Sequence, residues 1–136
     1  MLLAGRVIRS GKHWAIEIPI LGVVSQGRTK REALEMICDA VESLANQPGF
    51  SVDVRHAEGD RFVVGSNEPA TLAAFLLRRV RERSGLSLAE AAERLGASSR
   101  NAYARYEQGK AVPTITKLSE LLQAVAGGDF VLSEVR

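Results

Sequence analysis

The stretch from Ser87 to Leu118, SLAEAAERLGASSRNAYARYEQGKAVPTITKL, decides the fold of the second half of the chain. Ser87 followed by Glu90 is a capping box, so a helix starts there. Leu88, Ala91, Ala92 and Leu95 fall at helical spacing behind it, and Gly96 offers the positive φ that ends a helix. Ser98 and Ser99 open a second helix with Tyr103 and Tyr106 as inward anchors, and Gly109 closes it. Pro113 and Thr114 start a third, with an apolar stripe of Ile115, Leu118, Leu121, Leu122 and Val125. Two short helices joined by a tight glycine turn and braced by longer ones form a helix-turn-helix pattern.

Spacing alone fits an ordinary helical bundle equally well; side-chain chemistry separates the two. The outer side of the second helix carries Ser99, Arg100, Asn101 and Arg105, with one carboxylate, Glu107, at its end. Arg can contact guanine in two-pronged fashion, and Asn can do the same with adenine. A merely solvated face more often mixes Glu and Lys four residues apart. The base-reading candidates are Ser99, Arg100, Asn101, Ala104 and Arg105; the phosphate candidates are Ser87, Lys110 and Thr116.

The runs GLSLAEAAERLG and YARYEQGKAVPTITKLSELL resemble the XRE (Cro/repressor-like) helix-turn-helix family. They match its aromatic-Glu-x-Gly-Lys-x-x-Pro signature at Tyr106, Glu107, Gly109, Lys110 and Pro113. The turn between Leu95 and Tyr106 is one residue longer than the usual family spacing, so the base-reading positions can slip by one. Leu88 also stands where many members carry a Gln that touches the DNA backbone.

The chain has 136 residues, 46% of them apolar and 25% charged, enough for one ordinary domain or two small ones. The net charge of +2 is unevenly shared. Residues 1–68 carry 8 Lys and Arg against 9 Asp and Glu, net −1, while residues 69–136 carry 10 against 7, net +3. The basic excess therefore lies with the helix-turn-helix pattern, and its modest size predicts that useful DNA binding needs a dimer. No run of apolar residues is long enough for a membrane span. The start MLLAGRVIRSGK lacks the apolar core of a signal peptide, so a cytoplasmic location is expected. Cys38, the single cysteine, has no CxxC or His partner and sits beside Leu34, Ile37 and Val41, which marks it as structural.

Ahead of that half, Leu3 to Arg9 and His13 to Ile18 read as strands joined at Ser10-Gly11-Lys12. Leu21 to Ser25 reads as a third, ended by Gly27. Thr29 and Glu32 form another capping box, opening a helix whose stripe is Leu34, Ile37, Cys38, Val41, Leu44 and Ala45. Phe50, Val52 and Val54 alternate as a fourth strand, and Phe62 to Val64 is a short edge strand. Gly65, Ser66, Asn67 and Pro69 read as a linker. Beyond it Leu72, Phe75, Leu76, Leu77 and Val80 begin the helical half. In the tail, Phe130 to Leu132 is apolar enough to form a strand. The order is an α+β layer, β-β-β-α-β, followed by an all-α part. The expected domains are residues 1–66 and 67–136.

The run IEIPILGVVSQGRTKREALEMICDAVESL resembles the HicB antitoxin family. It carries Pro19, Gly22, Gln26, Gly27, Thr29, Glu32, Ala33 and Leu34 in the family's order, with Asp39 and Ala40 further on, but lacks the Pro-Gly-Cys loop seen in many members. The resemblance implies a partial ribonuclease H-like HicB fold. It also implies a partner, a HicA-like toxin that is a small basic ribonuclease cleaving mRNA. The toxin-binding residues are unknown from sequence. The implied protein masks that toxin with residues 1–66 and represses its operon with residues 67–136, reading an inverted repeat in operator DNA as a homodimer or homotetramer. The alternative is a one-component XRE-family transcription regulator whose N-terminal domain senses a small molecule; that half is small for a pocket of about 300–1,000 Å³.

Catalysis is not expected. A ribonuclease H-like nuclease needs three or four carboxylates converging on two metal ions. Glu17, Asp39 and Asp53 read more simply as solvated charges, and His13 and His56 have no partner at a motif spacing. No metal or cofactor is implied.

Overall fold

In a computed structural model, residues 1–97 and 99–135 are described, and the chain divides into two compact units, Met1–Leu72 and Ala73–Arg136. The first opens with strands β1 (Leu3–Ser10) and β2 (His13–Ile18), then a single 3-10 turn at Pro19–Leu21. Strand β3 (Val23–Gly27), helix α1 (Lys30–Ala45) and strands β4 (Val52–Glu58) and β5 (Arg61–Ser66) follow. The five strands form one antiparallel sheet in the order β3-β2-β1-β5-β4.

Alternation along each strand sets which face is covered. Leu3, Val7, Ile16, Ile18, Val23, Phe62 and Val64 point to the same side and are buried. Helix α1 lies over that side and closes the core with Ala33, Ile37, Val41 and Ala45. Its buried row therefore runs strictly every fourth residue. Leu34 and Cys38, expected in the stripe, lie half-buried at its margin, and Leu44 is 42% exposed at the last turn. The start of α1 falls where predicted, with one half of the expected capping box: the Thr29 hydroxyl accepts the Glu32 amide at 3.0 Å.

Two strand readings are corrected. Strand β3 begins two residues later than expected, because Pro19–Leu21 coils into the 3-10 turn and buries Leu21. Arg61–Ser66 is an interior strand rather than a short edge strand, since it pairs with β1 on one side and β4 on the other. The edge falls to β4, whose Asp53, Arg55, His56 and Glu58 are exposed, as suits a strand facing water, and whose pairing slips at Val54/His56. The expected linker is also structured. Gly65 and Ser66 are buried in β5. Asn67 accepts the Ser51 amide at 2.8 Å and donates to the Gly49 carbonyl at 2.7 Å, which ties the strand ends together.

Gly27 ends β3 where α1 crosses it. A Cβ there would stand 2.4 Å from the Ala33 nitrogen, a backbone atom that cannot step aside. Gly27→Ala is therefore expected to cost about 1–3 kcal/mol by overpacking. A lowered urea midpoint with unchanged slope would show it; an unchanged midpoint would mean that β3 and α1 separate freely.

Helix α2 (Pro69–Arg83) contains the division between the units. In the second unit it is followed by α3 (Leu88–Arg94), α4 (Arg100–Glu107) and α5 (Ile115–Ala126). Phe75, Leu77, Val80, Ala91, Ala92, Tyr103, Leu121, Leu122 and Val125 are buried. Ile115 does not join this core: at the first turn of α5 it is 72% exposed. Tyr106 is half-buried, against full burial of Tyr103. The tail after Gly127 forms no strand among its described residues, and Val131 and Leu132 are exposed; Arg136 lies outside them.

Candidate nucleic-acid interface

Helices α3 and α4 are the two arms of the expected motif; local chemistry starts and stops α3 and stops α4. At α3 the capping box is complete: Ser87 Oγ accepts the Glu90 amide at 3.1 Å, and Glu90 accepts the Ser87 amide at 3.2 Å. The bond to the Ser87 backbone, with that to its side chain, holds the Glu90 carboxyl below the usual carboxylate range. At the other end the Ala97 amide returns to the Ala92 carbonyl at 2.9 Å and the Gly96 amide to Glu93 at 3.0 Å. This is a Schellman stop, and it needs the left-handed φ of 68° that Gly96 adopts. Helix α4 repeats the device, with Lys110 bonding back to Arg105 at 3.0 Å and Gly109 to Tyr106 at 3.3 Å. The Gly-Lys pair of the sequence signature is thus the end of α4. Its start is Ser99, whose hydroxyl makes no capping bond; Ser98, also read as a start signal, lies outside the described residues.

One face of α4 is committed to the core. Tyr103 is buried, and Ala104, expected to read bases, is only 5% exposed. Ala104 is therefore removed from the base-reading set: it shares the inward side of α4 with Tyr103. Ser99, Arg100, Asn101 and Arg105 are all exposed. Asn101, Arg105 and Gln108 recur at i, i+4 and i+7 and form one wet row. Gln108, also exposed, was missed; its place three residues after Arg105 was the available signal. Of the phosphate candidates, Ser87, Lys110 and Thr116 are exposed. Ser87 spends an acceptor lone pair on its cap and keeps its hydroxyl proton to donate.

Glu107 is the second correction. Rather than ending the wet face, its carboxylate is 5% exposed and both oxygens accept from Arg81 Nε at 2.9 Å. Arg81, 14% exposed, also donates Nη1 to the Leu86 carbonyl at 2.9 Å. One guanidinium thus fastens α2 to both the entry of α3 and the end of α4. Burial raises the Glu107 pKa, opposed by the hydrogen bond and charge of Arg81. Burial also pushes the neighbouring Tyr103 phenol up, with Glu107 adding to the rise and Arg81 opposing it. With Glu107 turned inward, the exposed α4 residues are left without an acidic member.

Among the described residues, no group of three His, Cys, Asp or Glu side chains could hold a metal ion, and no helix is long and apolar enough to cross a membrane. No curated protein matches the chain. The family model described as a helix-turn-helix domain matches residues 72–129, which covers α3, its turn, α4 and α5 together. Residues 72–129 are thus similar to a helix-turn-helix domain, which supports DNA as a partner.

Proposed function

We propose that the chain is an autoregulating antitoxin: α4 reads operator DNA, and the N-terminal unit masks a HicA-like, mRNA-cleaving toxin. The observation that carries the DNA half is the set of exposed residues on α4 and at its C-cap, where Arg100, Asn101, Arg105 and Gln108 supply donors suited to base edges with no carboxylate among them. The toxin half rests on the HicB-like residue order from Pro19 to Ala40. A three-strand meander leading into a helix over one sheet face supports it. On this reading the sheet is the HicB, partial ribonuclease H-like fold with β5 inserted beside β1. The division of labour follows the two expected domains, residues 1–66 and 67–136. The protein works in the cytoplasm as a symmetric dimer or tetramer on an inverted repeat.

The same reading makes the chain itself non-catalytic. Glu17 lies on the sheet face opposite Ile16 and Ile18, Asp39 lies on α1 above the covered face, and Asp53 is paired with Arg55 at 2.6 Å. Incubated with RNA or an RNA–DNA hybrid and Mg²⁺ or Mn²⁺, the purified protein is expected to leave the substrate intact. Cleavage abolished by Glu17→Gln or Asp53→Asn would make it a nuclease.

Co-purification from the native host tests the proposal. The tagged full-length chain should bring down one small basic protein that cleaves RNA when freed and is silent when bound. Recovery of the chain with DNA alone would leave a DNA-binding regulator and remove the antitoxin.

A further inference from the structure

Helix α1 does not seal the edge of the sheet along β4, and an open groove of about 660 Å³ runs between them. Its floor is apolar: Leu34, Cys38, Val52 and Val54. Along its helical wall stand Glu35, Asp39 and Glu42. We infer that this groove docks a basic, apolar-anchored segment of the toxin; the inference rests on the antitoxin reading above and assigns its surface.

The wall points to a cationic occupant. Glu35, Asp39 and Glu42 recur at i, i+4 and i+7, which stacks like charges on one side of α1 at a cost to the helix. Two cations also line the groove: Lys30 donates to the Gly59 carbonyl at 2.5 Å, and Arg31 pairs with Glu35 at 3.5 Å, which leaves Asp39 and Glu42 as the wall carboxylates with no cationic partner among the described residues. The negative potential reaches the floor. Burial first, then Glu42, Asp39 and Asp53, pushes the Cys38 thiol up to about 11. An enzyme that cleaves RNA meets a polyanion and needs Lys and Arg on its working surface. An acidic wall over an apolar floor complements such a surface in charge while supplying buried contact area.

The groove also shows how the segment lies. The outward amide of Val52 is already taken by Glu42 Oε1 at 2.7 Å, and the irregularity at Val54/His56 interrupts the edge beyond it. The occupant therefore packs on side chains instead of adding a strand to β4.

Charge reversal on the wall tests this, with the small basic protein recovered by co-purification as the probe, carrying a substitution that silences its RNA cleavage. Asp39→Lys and Glu35→Lys in the full chain each alter an exposed side chain outside the core. Each is expected to weaken toxin binding at least tenfold at low salt, by less at high salt, while operator binding in a gel shift stays at the wild-type level. A toxin variant with a basic residue changed to Glu should recover binding to Asp39→Lys. Wild-type binding with both reversals equally tight would overturn the groove while leaving the antitoxin reading intact. A wild-type chain that captures no ribonuclease would overturn both. Reversals that change only the oligomeric mass in sedimentation would assign the groove to a second copy and overturn the inference.

Discussion

Arg81→Met is expected to destabilise the helix-turn-helix unit by about 3–5 kcal/mol, the cost of leaving one member of a buried ion pair without the other. Glu107 is 5% exposed and takes both its bonds from Arg81 Nε, so no solvent stands ready to replace the guanidinium. The loss has a pH signature whose sign follows from Glu107. Burial already lifts its folded-state pKa above 4.5, and Arg81 is what restrains it. Without Arg81 that pKa rises further, so between 4.5 and the raised value the folded variant holds a proton that the unfolded chain has lost. Stability of the variant then falls as pH rises through that window. The gap from wild type is widest above it and narrows towards pH 4.5. Urea unfolding at pH 5 and pH 8 reads both effects. Arg81→Met combined with Glu107→Leu should regain most of the loss, because an apolar pair replaces an orphaned charge. An equal deficit at both pH values would mean that Glu107 is not the group left behind.

The second large effect is on DNA. If Arg100 and Asn101 each make the proposed two-pronged base contact, Arg100→Ala and Asn101→Ala should each weaken binding to the cognate operator by about 1–3 kcal/mol. Together they should bring operator affinity close to that for unrelated DNA. Lys110→Ala should weaken both DNAs alike and lower the salt dependence by about one counterion, as a phosphate contact does. Gln108→Ala should behave like the first pair, since Gln108 shares the wet row with Asn101 and Arg105. Substitution of Ala104 should act on stability, since a larger side chain there enters the core. Fluorescence anisotropy at two salt concentrations separates these classes. Equal losses on operator and unrelated DNA for Arg100→Ala and Asn101→Ala would make both phosphate contacts and move base reading elsewhere on α4.

How much of this was legible in the sequence depended on whether the deciding interaction was local. The caps at Ser87 and Thr29 and the turn at Gly96 are written within four or five residues, and they were read correctly. The burial of Tyr103 and the exposure of Arg100, Asn101 and Arg105 followed from period and residue type. The misreadings depended on contacts distant in the chain. Glu107 looked like a wet carboxylate because its partner lies 26 residues earlier; the available hint was that Arg81 falls four residues after the buried Leu77. The place of Arg61–Ser66 inside the sheet depended on pairing with β1 some sixty residues away, which alternation does not encode. Asn67 looked like linker because both its bonds reach back to Gly49 and Ser51. On α1, Leu34 and Leu44 had the right residue type for the core, but the sheet beneath accepts only the row of Ala33, Ile37, Val41 and Ala45.

Hydroxyl-radical footprinting of the full-length protein on the promoter of its own gene tests the central claim, that α4 of two copies reads an inverted repeat, most directly. The account predicts two protected patches centred about one helical turn, roughly 34 Å, apart. It predicts further that Arg100→Ala combined with Asn101→Ala erases both patches while the circular dichroism spectrum of the protein is unchanged. Protection that survives the double substitution, or a single patch with no symmetric mate, would contradict it.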